Sequence, residues 1–441
     1  MRLFDRVGFL RGVFDHHMRE VVSGAVIAVI WRVLGAAAQF VIVVVIARFL
    51  GAGGLGLYTI AVLLCFIAST VSRIGFDQTL LRIMAVCAER GELAELKGIY
   101  RNGLVITMAA ALAVTAVLFL AAPLLADIVF RHHDLAPLIR LLALSIIPFS
   151  LLNITATALQ AVKKIQYSSI VQIGAVPLLN CLLLFLALSY GFGIKGAAWT
   201  YVISTVAALY VGIRLWNRAM PGLADVTARS PMPVGGLVTA SMPNAWTAIM
   251  VVTMVQVDTL ILGIFRPVDD VGMYNAALRL VSLAGFVLVS INMTIMPKFA
   301  AMYEAGNFEG IRRIAKHSTR LILFVVAPPL LLCMIAPDYI MLIFGSRFNG
   351  AGTTLVILAA GQLAYSAIGM AMQLLIMTRK ETAVRNIMFA SLFVNVALSF
   401  ALAPVYGAKG VAMAHVVAYA LSGLACQYAV KRHIGITTHL F

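Results

Sequence analysis

Residues 255–298 read VQVDTLILGIFRPVDDVGMYNAALRLVSLAGFVLVSINMTIMPK, and this stretch decides the fold. It contains two apolar runs joined by a short polar turn, and each run carries a charged residue, Asp258 in the first and Arg279 in the second. Apolar runs of this length are typical of membrane-spanning helices. An ionised side chain within such a helix is costly unless it faces water or a partner. The stretch therefore predicts a membrane protein with a polar cavity between its helices.

The composition of the whole chain agrees with this interpretation. The 441 residues are 62% hydrophobic and only 11% charged, a balance that excludes a soluble domain. The fold class is therefore all-α and integral to the membrane, because apolar runs of roughly 20 residues recur along the chain. We predict twelve transmembrane helices, at residues 21–48, 56–84, 102–125, 138–161, 167–190, 194–216, 235–263, 272–298, 318–343, 352–377, 384–404 and 408–430.

The distribution of basic residues predicts the orientation of these helices. Of the 33 lysines and arginines, 23 fall on the side of the N-terminus, 7 on the opposite side and 3 inside predicted spans. Cytoplasmic loops of membrane proteins are enriched in these residues. Both termini are therefore predicted to be cytoplasmic. Most of the net charge of +16 is explained by this topology and by attraction to anionic membrane lipids, so no nucleic-acid partner is expected.

Short motifs repeat along the chain at a nearly constant offset. Gly56-Leu-Tyr58 returns as Gly272-Met-Tyr274, 216 residues later, and Gly193-Ile-Lys195-Gly196 returns as Gly407-Ala-Lys409-Gly410. Each half holds six predicted spans, so the second half starts on the same side of the membrane as the first and the repeats are parallel. The sequence thus predicts two six-helix bundles around a central cavity, an arrangement suited to alternating access.

The domain boundaries follow from the predicted spans. An N-terminal basic amphipathic segment is expected to lie on the membrane surface, and a linker with three prolines joins the two bundles. The five cysteines are scattered and mostly within apolar runs, so we expect no disulfide framework, no metal site and no cofactor. The division is 1–20 for the amphipathic segment, 21–217 for the first bundle, 218–234 for the cytoplasmic linker, 235–431 for the second bundle and 432–441 for a cytoplasmic tail.

Several motifs resemble the polysaccharide-flippase branch of the multidrug/oligosaccharidyl-lipid/polysaccharide exporter superfamily. They are, in chain order, Ala47-Arg48-Phe-Leu-Gly51, Gly56-Leu-Tyr58, Gly75 with Arg82, Asp258-Thr-Leu-Ile-Leu-Gly263, Val271-Gly272-Met-Tyr274 continuing to Arg279, and Pro297-Lys298. The resemblance implies the fold of that superfamily, which includes the multidrug transporters of the MATE branch. It also implies a transporter rather than an enzyme.

The function that the resemblance implies is translocation of a lipid-linked glycan. We expect an undecaprenyl-pyrophosphate-linked oligosaccharide, such as an O-antigen precursor of lipopolysaccharide, to move from the cytoplasmic to the periplasmic leaflet of the bacterial inner membrane. The partners expected on the same grounds are that lipid-linked oligosaccharide and the polysaccharide polymerase machinery. The chain itself is expected to be a monomer.

Three arginines lie inside predicted spans, against a single carboxylate well inside one. A cavity with more arginine than carboxylate attracts anions, and a guanidinium group matches the geometry of pyrophosphate. We therefore predict that Arg32, Arg73 and Arg279 bind the substrate. Gln39 shares the helix face of Arg32, and Asn275 shares that of Arg279, so both are predicted to contribute.

The single intramembrane carboxylate, Asp258, is the candidate for coupling transport to H⁺ or Na⁺, with His415 as the reserve candidate. Structural alternatives exist for each of these charges. Arg73 can pair with Asp77 at i, i+4 spacing, Arg279 can pair with Asp258 on the adjacent helix, and His415 can be a hydrogen-bonded structural residue.

Two other functions compete with the flippase hypothesis. A cation-coupled multidrug antiporter of the MATE branch would need carboxylates in the cavity, where the sequence has arginines. An integral-membrane glycosyl- or acyltransferase would need an acidic or histidine-based site at a membrane face, and the acidic residues of the largest loops are typical of ordinary solvated charges. The sequence has no nucleotide-binding loop, so we expect the energy to come from an ion gradient or from the substrate gradient.

Overall fold

The computed structural model describes residues 16–223, 225–229, 233–378 and 380–436, and no strand occurs within these ranges. The predicted amphipathic segment at 1–20 therefore falls mostly outside the described residues, as do the last residues of the tail. The α-helices are α1 His16–Ser72, α2 Phe76–Arg90, α3 Leu93–Leu124, α4 Leu135–Ala143, α5 Ile146–Ala161, α6 Ile165–Ser169, α7 Ala175–Ser189, α8 Gly193–Ala219, α9 Val234–Phe265, α10 Val268–Glu304, α11 Phe308–Ile335, α12 Pro337–Met341, α13 Gly352–Ile368, α14 Ala371–Met377 and α15 Glu381–Ile434.

Within the described ranges, eight helices are long and apolar enough to cross a membrane. The number is nine if α4 and α5, which bend by 42° between them, count as one span. The all-helical membrane fold is therefore confirmed. The predicted span at 272–298 lies within α10, which has 37 residues and is not among these eight helices. The total of twelve spans stays a prediction.

Two of the helices are too long to be single spans. α1 has 57 residues and α15 has 54, and a straight helix of that length would measure about 80 Å against a hydrocarbon layer of roughly 30 Å. Each bends at a glycine with positive φ, Gly51 at 72° in α1 and Gly407 at 57° in α15. Glycine adopts this conformation without the steric cost that a Cβ brings. α15 therefore contains two of the predicted spans, and α1 contains the first predicted span and the first part of the second.

The sequence repeat is also visible in the backbone. Gly193 and Gly407, the first glycines of the two Gly-x-Lys-Gly motifs, have φ values of 60° and 57°. The second predicted span is interrupted by Gly75, which has a φ of 72° and precedes the start of α2 at Phe76. This break was not predicted, because the apolar pattern continues across it.

The buried residues form two hydrophobic clusters, which include different parts of the chain. One lies mainly among α2, α3, α5 and α8 of the first half and includes Leu223 of the linker and Leu237 of α9. The other, larger cluster contains residues of α1, α10 and α15 and so extends across both halves of the chain. The described part of the linker is held to the first half, because Lys97 Nζ donates to the carbonyl of Val226 at 2.8 Å and Arg229 N donates to the carbonyl of Ala94 at 2.9 Å.

Candidate functional site

The side chain of Asp258 on α9 lies at the centre of a buried polar cluster. Asp258 is only 2% exposed. Its Oδ1 accepts a hydrogen bond from Asn395 Nδ2 at 2.8 Å. Its Oδ2 lies 2.6 Å from His415 Nδ1 and accepts from Tyr274 Oη at 3.2 Å. Two helices besides α9 therefore supply partners to one carboxylate: α10 through Tyr274, and α15 through Asn395 before its bend at Gly407 and His415 after it.

Aromatic rings enclose the histidine of this cluster. Tyr419 stacks on His415 with ring centroids 4.3 Å apart, and Tyr365 packs edge-on against Tyr419 at 5.2 Å. The side chain of His415 is 19% exposed, against 3% for that of Asp258. The imidazole thus lies between the buried carboxylate and the accessible side of the cluster. His415 is therefore the more accessible member of the Asp258–His415 pair.

The structure brings together the two residues that the sequence predicted as ion-coupling candidates, Asp258 and His415. It does not form the alternative pair of Asp258 with Arg279, because Asp258 points towards α15 and Arg279 points towards α1. Sequence reasoning missed Tyr274 and Asn395. Tyr274 belongs to the repeated Gly-x-Tyr motif, which was a signal that could have found it, whereas nothing in the local sequence marks Asn395.

The first half of the chain contains a neutral counterpart of this cluster. At offsets of 214–216 residues, the matching positions are Tyr58 for Tyr274, Asn180 for Asn395, Tyr201 for His415 and Ile42 for Asp258. Asn180 Nδ2 donates to Tyr58 Oη at 3.4 Å, and both side chains are buried. A tyrosine and an asparagine therefore occupy the matching positions of both halves. The carboxylate and the imidazole occur at these positions only in the second half.

A second group of predicted residues meets at the contact between α1 and α10. Arg279 Nη2 donates to Gln39 Oε1 at 2.6 Å, which joins the two halves of the chain. Gln39 is exposed and Arg279 is half-buried. Asn275, one turn before Arg279, is half-buried and donates to its own helix at the carbonyl of Val271, 2.9 Å away. Its side-chain oxygen can still accept a bond from a ligand.

Arg32 lies two turns before Gln39 on the same face of α1 and is half-buried. Within the described residues it has no hydrogen bond or ion pair. Gly35, three residues after Arg32 on α1, is packed closely, since a Cβ there would lie 2.6 Å from the carbonyl oxygen of Ile173. The polar stripe of α1 is therefore narrow and consists of Arg32 and Gln39.

Arg73 is held by its own segment of chain. Its Nε lies 2.8 Å from Asp77 Oδ2, its Nη1 donates to Ser69 Oγ at 2.9 Å and its Nη2 donates to Thr70 Oγ1 at 3.3 Å. The residue is 7% exposed. The structural alternative, an i, i+4 pair with Asp77, is the one that the structure forms. The guanidinium is thereby satisfied, so the geometry separates Arg73 from the pair of Arg32 and Arg279.

The two repeated glycines, Gly56 and Gly272, lie where α1 and α10 approach most closely. A Cβ at Gly56 would lie 1.9 Å from the carbonyl oxygen of Val268, and a Cβ at Gly272 would lie 2.0 Å from that of Ala52. No side chain fits at either distance. The glycines of the repeated motif thus allow α1 of the first half to pack closely against α10 of the second half.

One cluster of metal-type ligands lies away from these sites, at the end of α2. Single donor atoms of Cys87, Glu92 and Glu95 lie within 4.8 Å of one another. Burial raises the pKa of the Cys87 thiol, and the charges of Glu95 and Glu92 raise it further. These effects disfavour the thiolate, which is the form of cysteine that binds metals.

Comparisons with known proteins agree with one another on the family and the fold. Residues 21–303 match the family described as polysaccharide biosynthesis protein, and residues 243–421 match the family described as MatE. The chain is 27% identical over 169 residues to the probable low-salt glycan biosynthesis flippase Agl15 of Haloferax volcanii. That alignment covers 37% of this chain and 35% of the archaeal protein, so it spans about a third of the relative.

Two solved structures share the fold along almost the whole chain. The lipid II flippase MurJ in its inward closed conformation has a TM-score of 0.73 at 15% identity, covering 93% of this chain and 87% of its own. A multidrug resistance MATE family transporter of the MOP superfamily, in an inward-facing conformation, has a TM-score of 0.73 at 12% identity, covering 92% of this chain and 98% of its own. Asp258, Tyr274 and Arg279 lie in the segment that both families match.

Proposed function

Because the chain belongs to the polysaccharide biosynthesis protein family of the MOP superfamily, we propose that it is a flippase for an anionic, lipid-linked oligosaccharide. The proposed substrate is a polyprenyl-pyrophosphate-linked glycan that crosses the bacterial inner membrane from the cytoplasmic to the periplasmic leaflet. Both termini lie in the cytoplasm in this proposal. Its first support is the name of the archaeal relative, a glycan biosynthesis flippase.

The observation that carries the proposal is a cationic stripe, formed by Arg32 and Gln39 of α1 and Arg279 of α10, where the two halves of the chain meet. Arg279 reaches across to Gln39, and Arg32 lies two turns along the same face without a partner among the described residues. An unpaired guanidinium at the depth of a spanning helix is costly unless it meets an anion or water. A pyrophosphate group offers the bidentate acceptor geometry that arginine favours. In the proposed cycle the anionic headgroup passes along this stripe while its lipid tail stays in the bilayer.

We propose that the energy comes from a proton gradient acting on Asp258 through His415. The carboxylate already has three polar partners, Tyr274 from α10 and Asn395 and His415 from α15, and the contact of His415 Nδ1 at 2.6 Å is short enough for the two groups to share a proton. Binding of Na⁺ at the same oxygens would require His415 and Tyr274 to move away. Proton coupling therefore needs less rearrangement than sodium coupling.

A second candidate function is cation-coupled multidrug transport, favoured by the match of residues 243–421 to the MatE family. The buried carboxylate of Asp258 lies within that segment. Against this function stands the charge of the stripe, because Arg32 and Arg279 would repel a cationic drug. The two functions therefore predict opposite effects of removing the arginines.

The proposal is tested with the full chain reconstituted in lipid vesicles. A polyprenyl-pyrophosphate oligosaccharide is added to one leaflet, and its arrival in the other is followed with an impermeant lectin. We expect the Arg32→Ala/Arg279→Ala double variant to move the lipid about tenfold more slowly or worse, since two charge-assisted contacts are lost. Arg312→Ala, an exposed arginine of α11, serves as the matched control and should transport normally.

The same vesicles distinguish the second function. Transport of ethidium, a cationic dye, that rises when Arg32 and Arg279 are replaced would support a drug antiporter. Unimpaired lipid movement in the double variant, with normal amounts of protein in the vesicles, would contradict the flippase proposal.

A further inference from the structure

A cleft between α10 and α11 lies outside the stripe and outside the Asp258 cluster. Its volume is about 560 Å³, within the range of roughly 300–1,000 Å³ that small-molecule sites occupy. It lies at the end of the bundle where α10 ends and α11 begins, which is the predicted cytoplasmic side. Neither the predicted substrate-binding residues nor the predicted ion-coupling residues line it.

The cleft is built from one stripe of each helix. Ile291, Ile295 and Lys298 on α10 follow i, i+4, i+7 spacing, and Arg313, His317 and Leu321 on α11 follow i, i+4, i+8 spacing, so each set shares one helix face. The two helices run in opposite directions. Lys298, Arg313 and His317 therefore meet near the end of the bundle, while Ile291 and Leu321 lie deeper.

The polar end of the cleft is strongly basic. Lys298, Arg313 and His317 are exposed, and none of them has a hydrogen bond or an ion pair within the described part of the chain. No carboxylate lines the cleft among the described residues. Two permanent positive charges and a histidine that can donate a hydrogen bond form a site for an anion with several acceptor oxygens, and phosphate is such an anion.

The apolar end favours a hydrocarbon chain over a soluble anion. Ile291, Ile295 and Leu321 continue the cleft towards the bilayer, and Leu321 is 53% exposed. A ligand that fills both ends must have an anionic head at the membrane surface and an apolar tail below it. We infer that this cleft binds a membrane lipid, with its phosphate headgroup held by Lys298, Arg313 and His317 and a hydrocarbon chain along Ile291 and Leu321.

The inference differs from general attraction of a basic protein to anionic lipid. Lipid attraction by net charge depends on how many basic residues face the headgroups and not on which ones. A built cleft depends on the residues that line it. Arg312 and Arg320 are exposed on the same helix as Arg313 but do not line the cleft, so they provide a control that changes the net charge by the same amount.

The test is native mass spectrometry of the full chain released from detergent, titrated separately with dioleoyl phosphatidylglycerol, farnesyl pyrophosphate and inorganic pyrophosphate. We expect at least one of the two lipids to bind, and its affinity to fall about tenfold in Lys298→Gln/Arg313→Gln. Affinity should be unchanged in Arg312→Gln/Arg320→Gln. Phosphatidylglycerol and farnesyl pyrophosphate distinguish a glycerophospholipid from an isoprenoid pyrophosphate as the occupant.

Two further variants keep the test interpretable if the first one folds poorly. Lys298→Arg/Arg313→Lys preserves both charges and should keep most of the lipid affinity. Leu321→Asn alters the exposed apolar wall and should weaken lipid binding while leaving inorganic pyrophosphate unaffected. Equal losses in the cleft variant and in its control, or inorganic pyrophosphate binding as tightly as the lipids, would overturn the inference. The assay measures binding and not transport, so its failure leaves the flippase proposal standing.

Discussion

Asp258 and His415 are 157 residues apart in the chain, yet their side chains meet at 2.6 Å. The contact joins α9 to the last arm of α15, and it places the carboxylate behind an imidazole that is partly accessible. Asn395 and Tyr274 donate further hydrogen bonds to the same carboxylate, at 2.8 and 3.2 Å. The pair thus combines a buried acid with a more exposed histidine.

Asp258→Asn should uncouple transport from the proton gradient, because the amide keeps the size of the carboxylate but cannot take up a proton. We expect lipid movement in vesicles to lose its response to an imposed pH difference, while downhill movement continues. His415→Gln should have the same effect through loss of the relay. Tyr365→Phe, which changes the outer ring of the aromatic shell, is the control and should remain coupled. A pH response that persists in both cluster variants would remove the pair from the mechanism.

Gln39→Glu should block transport without unfolding the protein. The new carboxylate would lie beside Arg279, at the position from which Gln39 Oε1 now accepts a bond of 2.6 Å, and would neutralise the cation. Gln39→Leu removes the same bond but leaves Arg279 charged and free. We therefore expect flipping in vesicles to be lost in the first variant and retained in the second, with both present at normal levels in the membrane. Equal activity of the two would argue against a role for the charge of Arg279.

Arg73→Ala should lower the stability of the protein. The substitution leaves Asp77 without its 2.8 Å partner and removes the bonds to Ser69 and Thr70 from a buried site. Asp77 is 31% exposed, so water offsets part of the cost of leaving it unpaired, and we expect a loss of about 1–3 kcal/mol in the free energy of unfolding. We expect less protein in the membrane and a lower midpoint of thermal unfolding. The double variant Arg73→Ala/Asp77→Ala should recover part of the loss, and a stable single variant with impaired flipping would instead return Arg73 to the substrate path.

Gly272→Ala should disrupt the contact between the two halves, because a Cβ there would lie 2.0 Å from the carbonyl oxygen of Ala52. Gly285→Ala is the matched control on the same helix, since a Cβ at Gly285 meets no atom within 4 Å. We expect the first variant to unfold at a lower temperature or to be degraded, and the second to behave as the parent. Scanning calorimetry or fluorescence-monitored melting in detergent distinguishes them. Identical melting of the two variants would mean that α1 and α10 can separate without cost.

Cysteine labelling in intact cells tests the predicted topology. Thr227 in the linker and Ser346 before α13 are both exposed, and the prediction puts them on opposite sides of the membrane. An impermeant maleimide added outside the cells should label Ser346→Cys and leave Thr227→Cys unlabelled until the membrane is permeabilised. The native cysteines are buried or half-buried and give a low background. The reverse labelling pattern would invert the orientation of the whole chain.

The sequence predicted the features that depend on local spacing. Long apolar runs were enough to identify the helices, and the i, i+4 spacing of Arg73 and Asp77 was enough to suggest their pair. The packing of distant helices could not be read in the same way. Asp258 and Arg279 lie close together along the chain on adjacent helices, which left a pair between them open, but their side chains contact different neighbours and the pair does not form. The break at Gly75 escaped prediction because hydrophobicity carries no information about φ.

The two halves differ in their ionisable groups, since the first half has a neutral contact between Tyr58 and Asn180 where the second half also has an acid and an imidazole. If the Asp258–His415 pair is the coupling site of the proposed cycle, one proton moves for each lipid. At that ratio a difference of one pH unit can sustain at most about a tenfold excess of lipid in the receiving leaflet, which corresponds to roughly 1.4 kcal/mol. Rapid removal of the product at the outer face would then matter more to net export than a steeper gradient.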